Sequence, residues 1–153
     1  MSQTLNAALA SYGMSGKVFH APLIAAHPQL KLASVLQRSA DSARERYPDI
    51  KIVRSFEALI ADPDIDIVVV NTPNALHYPM ARDALLAGKH VVLEKPFTAE
   101  IEEGQELIEL AQKQELMLTV FHNRRLQSGF NTVQKLLKEN HLGKINTFAV
   151  TID

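Results

Sequence analysis

Leu5-Asn6-Ala7-Ala8-Leu9-Ala10-Ser11-Tyr12-Gly13-Met14-Ser15-Gly16-Lys17 is the stretch whose reading decides the fold. An apolar run interrupted only by Asn6 enters a turn with two glycines, and helical character follows from Lys17 to His27, broken by Pro22. The order is strand, glycine turn, helix. Dinucleotide-binding folds build such a turn on the frame G-x-G-x-x-G. The first glycine makes the tight turn, the second lets the backbone approach a pyrophosphate, and the third lets the helix pack, with the anion resting on the helix N-terminus. Here the frame holds Ser11, Gly13 and Gly16. Taken alone, so degenerate a frame is equally an ordinary turn between strand and helix.

The alternation continues outward from this turn. Leu30 to Leu36 is a second apolar run, followed by a charged helical stretch from Ala40 to Tyr47. Lys51 to Val53 is a minimal strand, Phe56 to Ala61 a short helix, and Ile65 to Val70 a strand that is apolar on both faces except for Asp66. Continuous β-branched runs of this kind belong inside a parallel sheet covered on both sides. Asn71-Thr72-Pro73-Asn74 opens a helix through Leu86 that stops at Ala87-Gly88, and Lys89 to Leu93 is the next strand. Thr98 and Ile101 begin an amphipathic helix expected to bury Ile101, Leu107, Ile108 and Ala111, although Thr98 to Ile101 narrowly misses a capping box because its third position is Ile. Leu116 to Phe121 reads as a strand, Phe130 to Leu137 as a helix, and Ile145 to Ile152 as a last, alternating strand. Strands alternating with helices at this pace define an α/β chain with a doubly wound parallel sheet of Rossmann type.

Composition narrows the function. The 153 residues carry 16 basic and 17 acidic side chains, a net charge of −1, so the chain has no long-range attraction for nucleic acid or an anionic membrane. Any phosphate recognition is local. With no cysteine, disulfides, thiolate metal sites and cysteine nucleophiles are excluded. The longest apolar run, Ile67-Val68-Val69-Val70, is too short to span a membrane and the N-terminus lacks a secretory pattern, so a soluble cytoplasmic protein is expected. A Walker loop fails because Gly13 and Gly16-Lys17 stand too close and Val18 occupies the place of the hydroxyl. Ser15 lacks the second flanking glycine of a nucleophile elbow at the needed spacing. The histidines show no ligand spacing with acids or with each other, and no metal is expected.

About 20 residues past a dinucleotide turn, an acid ordinarily reads the adenosine ribose. That place holds Gln37-Arg38-Ser39. Without a carboxylate, Arg38 and Ser39 suit a 2′-phosphate through charge-assisted hydrogen bonds, which favours NADP, with NAD as the alternative.

Two later segments make the reading specific: Asn71-Thr72-Pro73-Asn74-Ala75-Leu76-His77, and Ala87-Gly88-Lys89-His90-Val91-Val92-Leu93-Glu94-Lys95-Pro96. Together with Tyr12 to Pro22 they resemble the glucose-fructose oxidoreductase and inositol dehydrogenase (Gfo/Idh/MocA) family over nearly the whole chain. The resemblance implies nicotinamide-dependent oxidation of a hydroxyl group on a sugar, polyol or related small molecule, or the reverse reduction. Lys95 matches the family's active-site lysine in its Glu-Lys-Pro motif, with Glu94 orienting or pairing with it. A cation beside the reacting carbon stabilises a developing alkoxide and can relay a proton. Cofactor contacts are expected from Ser11, Gly13, Met14, Ser15 and Gly16 on the glycine turn, from Arg38 and Ser39, and from Thr72, Pro73 and Asn74 on the loop matching the ribose side. Glu94 and Asn123 belong to the same set, and His77 either faces that cleft or caps its helix. His20 reads as a structural residue fixing the glycine turn. Phe121-His122-Asn123-Arg124-Arg125 is similar to a family subgroup, but Leu126, Gln127 and Gly129 depart from the pattern of that subgroup.

Members of this family are two-domain proteins. The expected organisation is therefore a dinucleotide domain over 1–122 and, over 123–153, a short stub of a second, α+β substrate domain, so that the chain alone is not a complete catalyst. The alternative is a stand-alone NADP-binding or sensing module that pairs with itself or a partner through an exposed final strand. A third reading is an α/β domain with a vestigial site.

Overall fold

The computed structural model describes residues 4–151. Six strands form one sheet: β1 (Leu5–Leu9), β2 (Leu30–Leu36), β3 (Lys51–Val53), β4 (Ile67–Val70), β5 (His90–Leu93) and β6 (Leu118–Val120). Their order is β3-β2-β1-β4-β5-β6 and every pairing is parallel. This is the doubly wound Rossmann order, in which the strand order reverses between β1 and β4 and leaves a crevice at their carboxyl ends.

The period of two along each strand divides the core between the two faces of the sheet. On one face Ala8, Val68, Val70, Val91 and Leu93 pack with Leu59 of α2 (Phe56–Ile60), Ala81, Ala84 and Leu85 of α3 (His77–Leu86), and Leu107 and Ala111 of α4 (Ile101–Lys113). On the other, Ala7, Leu9, Val35, Ile67 and Val69 pack with Ala21 and Ile24 of α1 (Ala21–Ala26) and with Ile50. Burial on both faces explains why Ile67 to Val70 carries no polar residue. The Lys89 ammonium is buried before β5 and donates to Asp62 O at 2.7 Å and Ile65 O at 2.8 Å, which ties the turns before β4 and β5 together.

Several expectations are corrected. The helix expected over 40–47 contracts to one 3₁₀ turn, Ser42–Glu45. The helix expected from Asn71 begins as the 3₁₀ turn Asn74–Leu76, with Pro73 at its N-cap, before α3 proper. The cap of α4 is Glu100, whose N–H donates to the Glu103 carboxylate at 3.4 Å, while Thr98 Oγ1 donates to Glu100 O at 2.8 Å. The buried face differs too: Gly104, Leu107 and Ala111 are buried, whereas Ile101 is 76% and Ile108 46% exposed. The helix packs closely at Gly104, where a Cβ would stand 3.1 Å from both Phe97 Cε1 and Thr98 Oγ1.

The chain forms two units, Met1–Phe121 and His122–Asp153. In the second, a 3₁₀ turn (Asn123–Leu126) leads into α5 (Ser128–Lys138), where Thr132 Oγ1 donates to Ser128 O at 2.8 Å. The alternating strand expected over 145–152 does not form across 145–151, and residue 152 lies outside the described residues. Alternation marks a segment suited to one buried face, but a strand exists only where another strand completes its hydrogen bonds. Among the described residues no helix is long and apolar enough to cross a membrane.

The buried face of α4 is testable. Leu107→Ala should destabilise the fold by about 2–5 kcal/mol, and Ile101→Ala by no more than about 0.5 kcal/mol, as read from urea unfolding midpoints.

Candidate functional site

Because the strands are parallel, the residues that follow β1, β2, β4 and β5 emerge on one edge of the sheet. After β1 the chain turns sharply. The Ser11 hydroxyl accepts from Gly13 N–H at 3.2 Å, so the serine in the first glycine position stabilises the turn with its side chain. Gly13 and Met14 are exposed and Ser15 half-buried, and Lys17 N–H donates to Gly13 O at 2.9 Å as the helix starts. A helix start leaves the N–H groups of its first turn without intrahelical acceptors, which makes it suited to an anion. Gly16 cannot carry a side chain, since its Cβ would meet Ser11 O at 2.6 Å and Asn71 Nδ2 at 3.0 Å.

Asn71, absent from the residues expected from sequence, holds this turn in place. Ser11 N–H donates to Asn71 Oδ1 at 3.0 Å, and Asn71 Nδ2 donates to Ser11 O at 2.9 Å and to Ser15 Oγ at 3.4 Å. A buried amide directly after the all-apolar β4 was the available sequence signal.

After β2, Arg38 and Ser39 are exposed while Gln37 is buried. Gln37 serves the fold: its Oε1 accepts from Ala43 N–H at 2.9 Å and its Nε2 donates to Ser42 Oγ at 3.0 Å. The loop carrying Arg38 is clasped by Arg54, whose guanidinium donates to Gln37 O and Ala40 O, each at 2.8 Å, and to Asp41 at 2.7 Å. Nothing in the sequence singles out Arg54, because it acts on backbone carbonyls of another loop. A cavity of about 420 Å³ is lined by Ser11, Arg38, Ser39, Thr72 and Pro73 among others. Beside it, a second cavity of about 340 Å³ includes Arg38, Arg54 and Thr72. The Thr72 hydroxyl is buried without a hydrogen-bond partner. An orphaned hydroxyl, a glycine whose Cβ would clash and a helix start on one crevice fit a dinucleotide.

His77, expected either to face the cleft or to cap its helix, is a buried tie between loops. Only 1% exposed, it sets Nδ1 2.7 Å from Pro96 O and Nε2 3.0 Å from Thr72 O, so that each ring nitrogen stands within hydrogen-bond distance of a backbone carbonyl. It thereby joins the loop after β4 to the loop after β5. Asn74 is exposed on the turn leading into His77. Glu94 is likewise buried and occupied by the protein: Oε1 lies 2.9 Å from His20 Nε2, and Oε2 accepts from Lys95 N–H at 3.1 Å. Lys95 itself is exposed at the end of β5. His20 therefore does not fix the glycine turn, as expected; it reaches the strand end opposite. Burial holds its imidazole below the ordinary value of 6.5, outweighing the Glu94 carboxylate that acts the other way. Asn123 belongs to the second unit, where it starts the Asn123–Leu126 turn. Among the described residues no three His, Asp or Glu side chains group as metal ligands.

A doubly wound sheet with a glycine turn, a crevice and a lysine at its carboxyl edge defines an NAD(P)-binding oxidoreductase domain. Residues 5–122 match the model of the oxidoreductase family with an NAD-binding Rossmann fold, and the chain belongs to this Gfo/Idh/MocA family. It is 38% identical to the scyllo-inositol 2-dehydrogenase (NADP(+)) IolW of Bacillus subtilis, over 97% of this chain and 41% of that protein. A Bacteroides fragilis crystal structure described as a candidate oxidoreductase superposes with a TM-score of 0.89 at 49% identity, covering 93% of this chain and 42% of the other. Synechocystis biliverdin reductase, solved with biliverdin and NADP+, superposes with a TM-score of 0.76 at 28% identity, covering 88% of this chain and 43% of the other. The chain thus spans well under half the length of these relatives.

Two measurements test the site's construction. Gly16→Ala removes helix-interior glycine, a gain of about 1 kcal/mol, but forces a clash with backbone costing about 1–3 kcal/mol or more, so net destabilisation in urea unfolding is expected. For His20 the sign follows from linkage: the folded protein keeps the ring neutral while the unfolded chain takes up a proton near pH 6.5. Its contribution is complete above that pH and is lost as pH falls through the lower folded value. His20→Gln should flatten the fall in unfolding midpoint on acidification from pH 7 to 5 relative to the unsubstituted protein.

Proposed function

We propose that this chain forms the NADP-binding part of an enzyme that transfers hydride between nicotinamide and the hydroxyl or carbonyl carbon of a sugar, polyol or related small molecule. The observation that carries this reading is Lys95, exposed at the end of β5 with its amide tied to Glu94, on the same edge as the glycine turn. Bound nicotinamide supplies the hydride acceptor or donor. The residues of this chain do the rest. Backbone N–H groups of the first helical turn and the Ser11 and Thr72 hydroxyls bind and orient the dinucleotide. Arg38 and Ser39 receive its 2′-phosphate. In reduction the Lys95 ammonium stabilises the negative charge that develops on the substrate oxygen as hydride arrives and then donates a proton to it, leaving the amine; oxidation runs the same transfer in reverse, the amine taking the hydroxyl proton as hydride leaves.

NADP rather than NAD is supported by Gln37-Arg38-Ser39 directly after β2, where no carboxylate stands, by the position of Arg38 on both cavities, and by relatives whose names specify NADP(+). Residues 123–153 are read as the beginning of a substrate-binding portion, in keeping with relatives about twice as long.

Two substitutions test this. Arg38→Asp should weaken NADPH binding roughly 10- to 100-fold, the worth of a charge-assisted hydrogen bond, while NADH changes little. Equal loss for both cofactors would refute the 2′-phosphate role. In the protein that carries this chain, assayed with NADP+ and a panel of polyols including scyllo-inositol, Lys95→Ala should lower kcat by about 10²-fold or more. Unchanged turnover would remove Lys95 from the chemistry.

A further inference from the structure

The geometry points to His20 as a positioning residue for Lys95, acting through the carboxylate of Glu94. His20 closes a single π-helical turn, Gly16–His20, in which Ala21 N–H donates five residues back to Gly16 O. Such turns add one residue to a helix and recur at functional sites. This one ends with a histidine ring that is only 4% exposed, its centroid 4.4 Å from the Phe121 ring at an interplanar angle of 49°. The ring's Nε2 lies 2.9 Å from Glu94 Oε1 across a sequence separation of 74 residues.

A buried carboxylate requires donors. Glu94 finds one on each oxygen: the His20 ring at Oε1 and the Lys95 backbone N–H at Oε2. The two bonds depend on each other. With a neutral His20 donating from Nε2, the carboxylate stays oriented, and its second oxygen fixes the Lys95 amide at the point where the chain leaves β5. Without that donor, Oε1 faces a buried site with no partner. The carboxyl group then rotates toward water, and that rotation releases Lys95 N–H. The tie between His77 and Pro96 O, on the next residue, holds the loop independently and does not replace this bond. The functional consequence rests on the reading of Lys95 as the catalytic residue, but the hydrogen-bond chain is tested without it.

The test uses the 153-residue chain labelled with ¹⁵N. His20→Phe keeps a ring against Phe121 and removes the donor; His20→Gln keeps an N–H donor at the reach of Nε2 and removes the ring. The Lys95 amide should exchange with solvent roughly tenfold faster in His20→Phe, relative to the Val91 amide in the same strand, and should lose the downfield proton shift of a carboxylate-bonded N–H. His20→Gln should keep both properties. Unchanged Lys95 exchange in His20→Phe would overturn the proposal, as would equal disturbance by both substitutions, which signifies packing alone. Long-range ¹⁵N–¹H spectra of the unsubstituted protein at pH 7.5 provide a check independent of mutant folding. His20 should be neutral with its proton on Nε2, and a proton on Nδ1 instead would overturn the assignment. If Lys95→Ala leaves turnover intact while these signatures hold, the catalytic reading fails and the hydrogen-bond chain stands.

Discussion

The side-chain amide of Asn71 meets the backbone of Ser11 with both of its ends, accepting from the N–H at 3.0 Å and donating to the carbonyl at 2.9 Å. This pair closes the switch point of the doubly wound sheet. Strand order reverses between β1 and β4, so the connections that follow these strands run to opposite faces of the sheet and leave backbone groups facing the crevice. One asparagine satisfies them and sets the shape of the turn. The turn in turn dictates Gly16, because the helix start now lies so close to Ser11 O that no side chain fits. The N–H groups that would meet a pyrophosphate owe their position to this contact.

The remainder of the crevice is held in the same way, by polar side chains that reach loop backbone directly or through a carboxylate. Arg54 clasps the loop that displays Arg38, His77 joins the loops after β4 and β5, and His20 reaches Lys95 through Glu94. Each of these side chains is occupied by the protein itself. What they leave exposed is a small set of groups at the rim: Arg38, Ser39 and Lys95. A chain with a net charge of −1 can thus present local positive charge to an anionic cofactor without being basic as a whole.

Most of the sheet was legible from the residues. Ile67 to Val70 could only be a central strand, and the glycines at 13 and 16 between a strand and a helix fixed the starting point. The errors have identifiable causes. Periodicity alone put Ile101 and Ile108 on the buried side of α4, whereas the helix turns Gly104, Leu107 and Ala111 to the core, with Phe97 packed closely at Gly104. The alternation of 145–152 described a suitable surface and not a partner, and no strand forms across 145–151.

The site divides along a similar boundary. Lys95, Arg38 and the glycine turn were found because their chemistry is written in short motifs at strand ends. Glu94 was found both as a partner of Lys95 and as a cofactor contact, and His77 as either a cleft residue or a helix cap, while Asn71, Arg54 and the partner of His20 were not found. Motif and periodicity are local properties, and from them the sequence by itself determined the alternation of strands and helices, the position of the turn and the groups displayed at the rim. The order of the strands in the sheet and which side chain holds which loop were decided only by the tertiary structure. A hydrogen bond across 60 or 74 residues depends on distances of a fraction of an ångström, and only the packed sheet defines them.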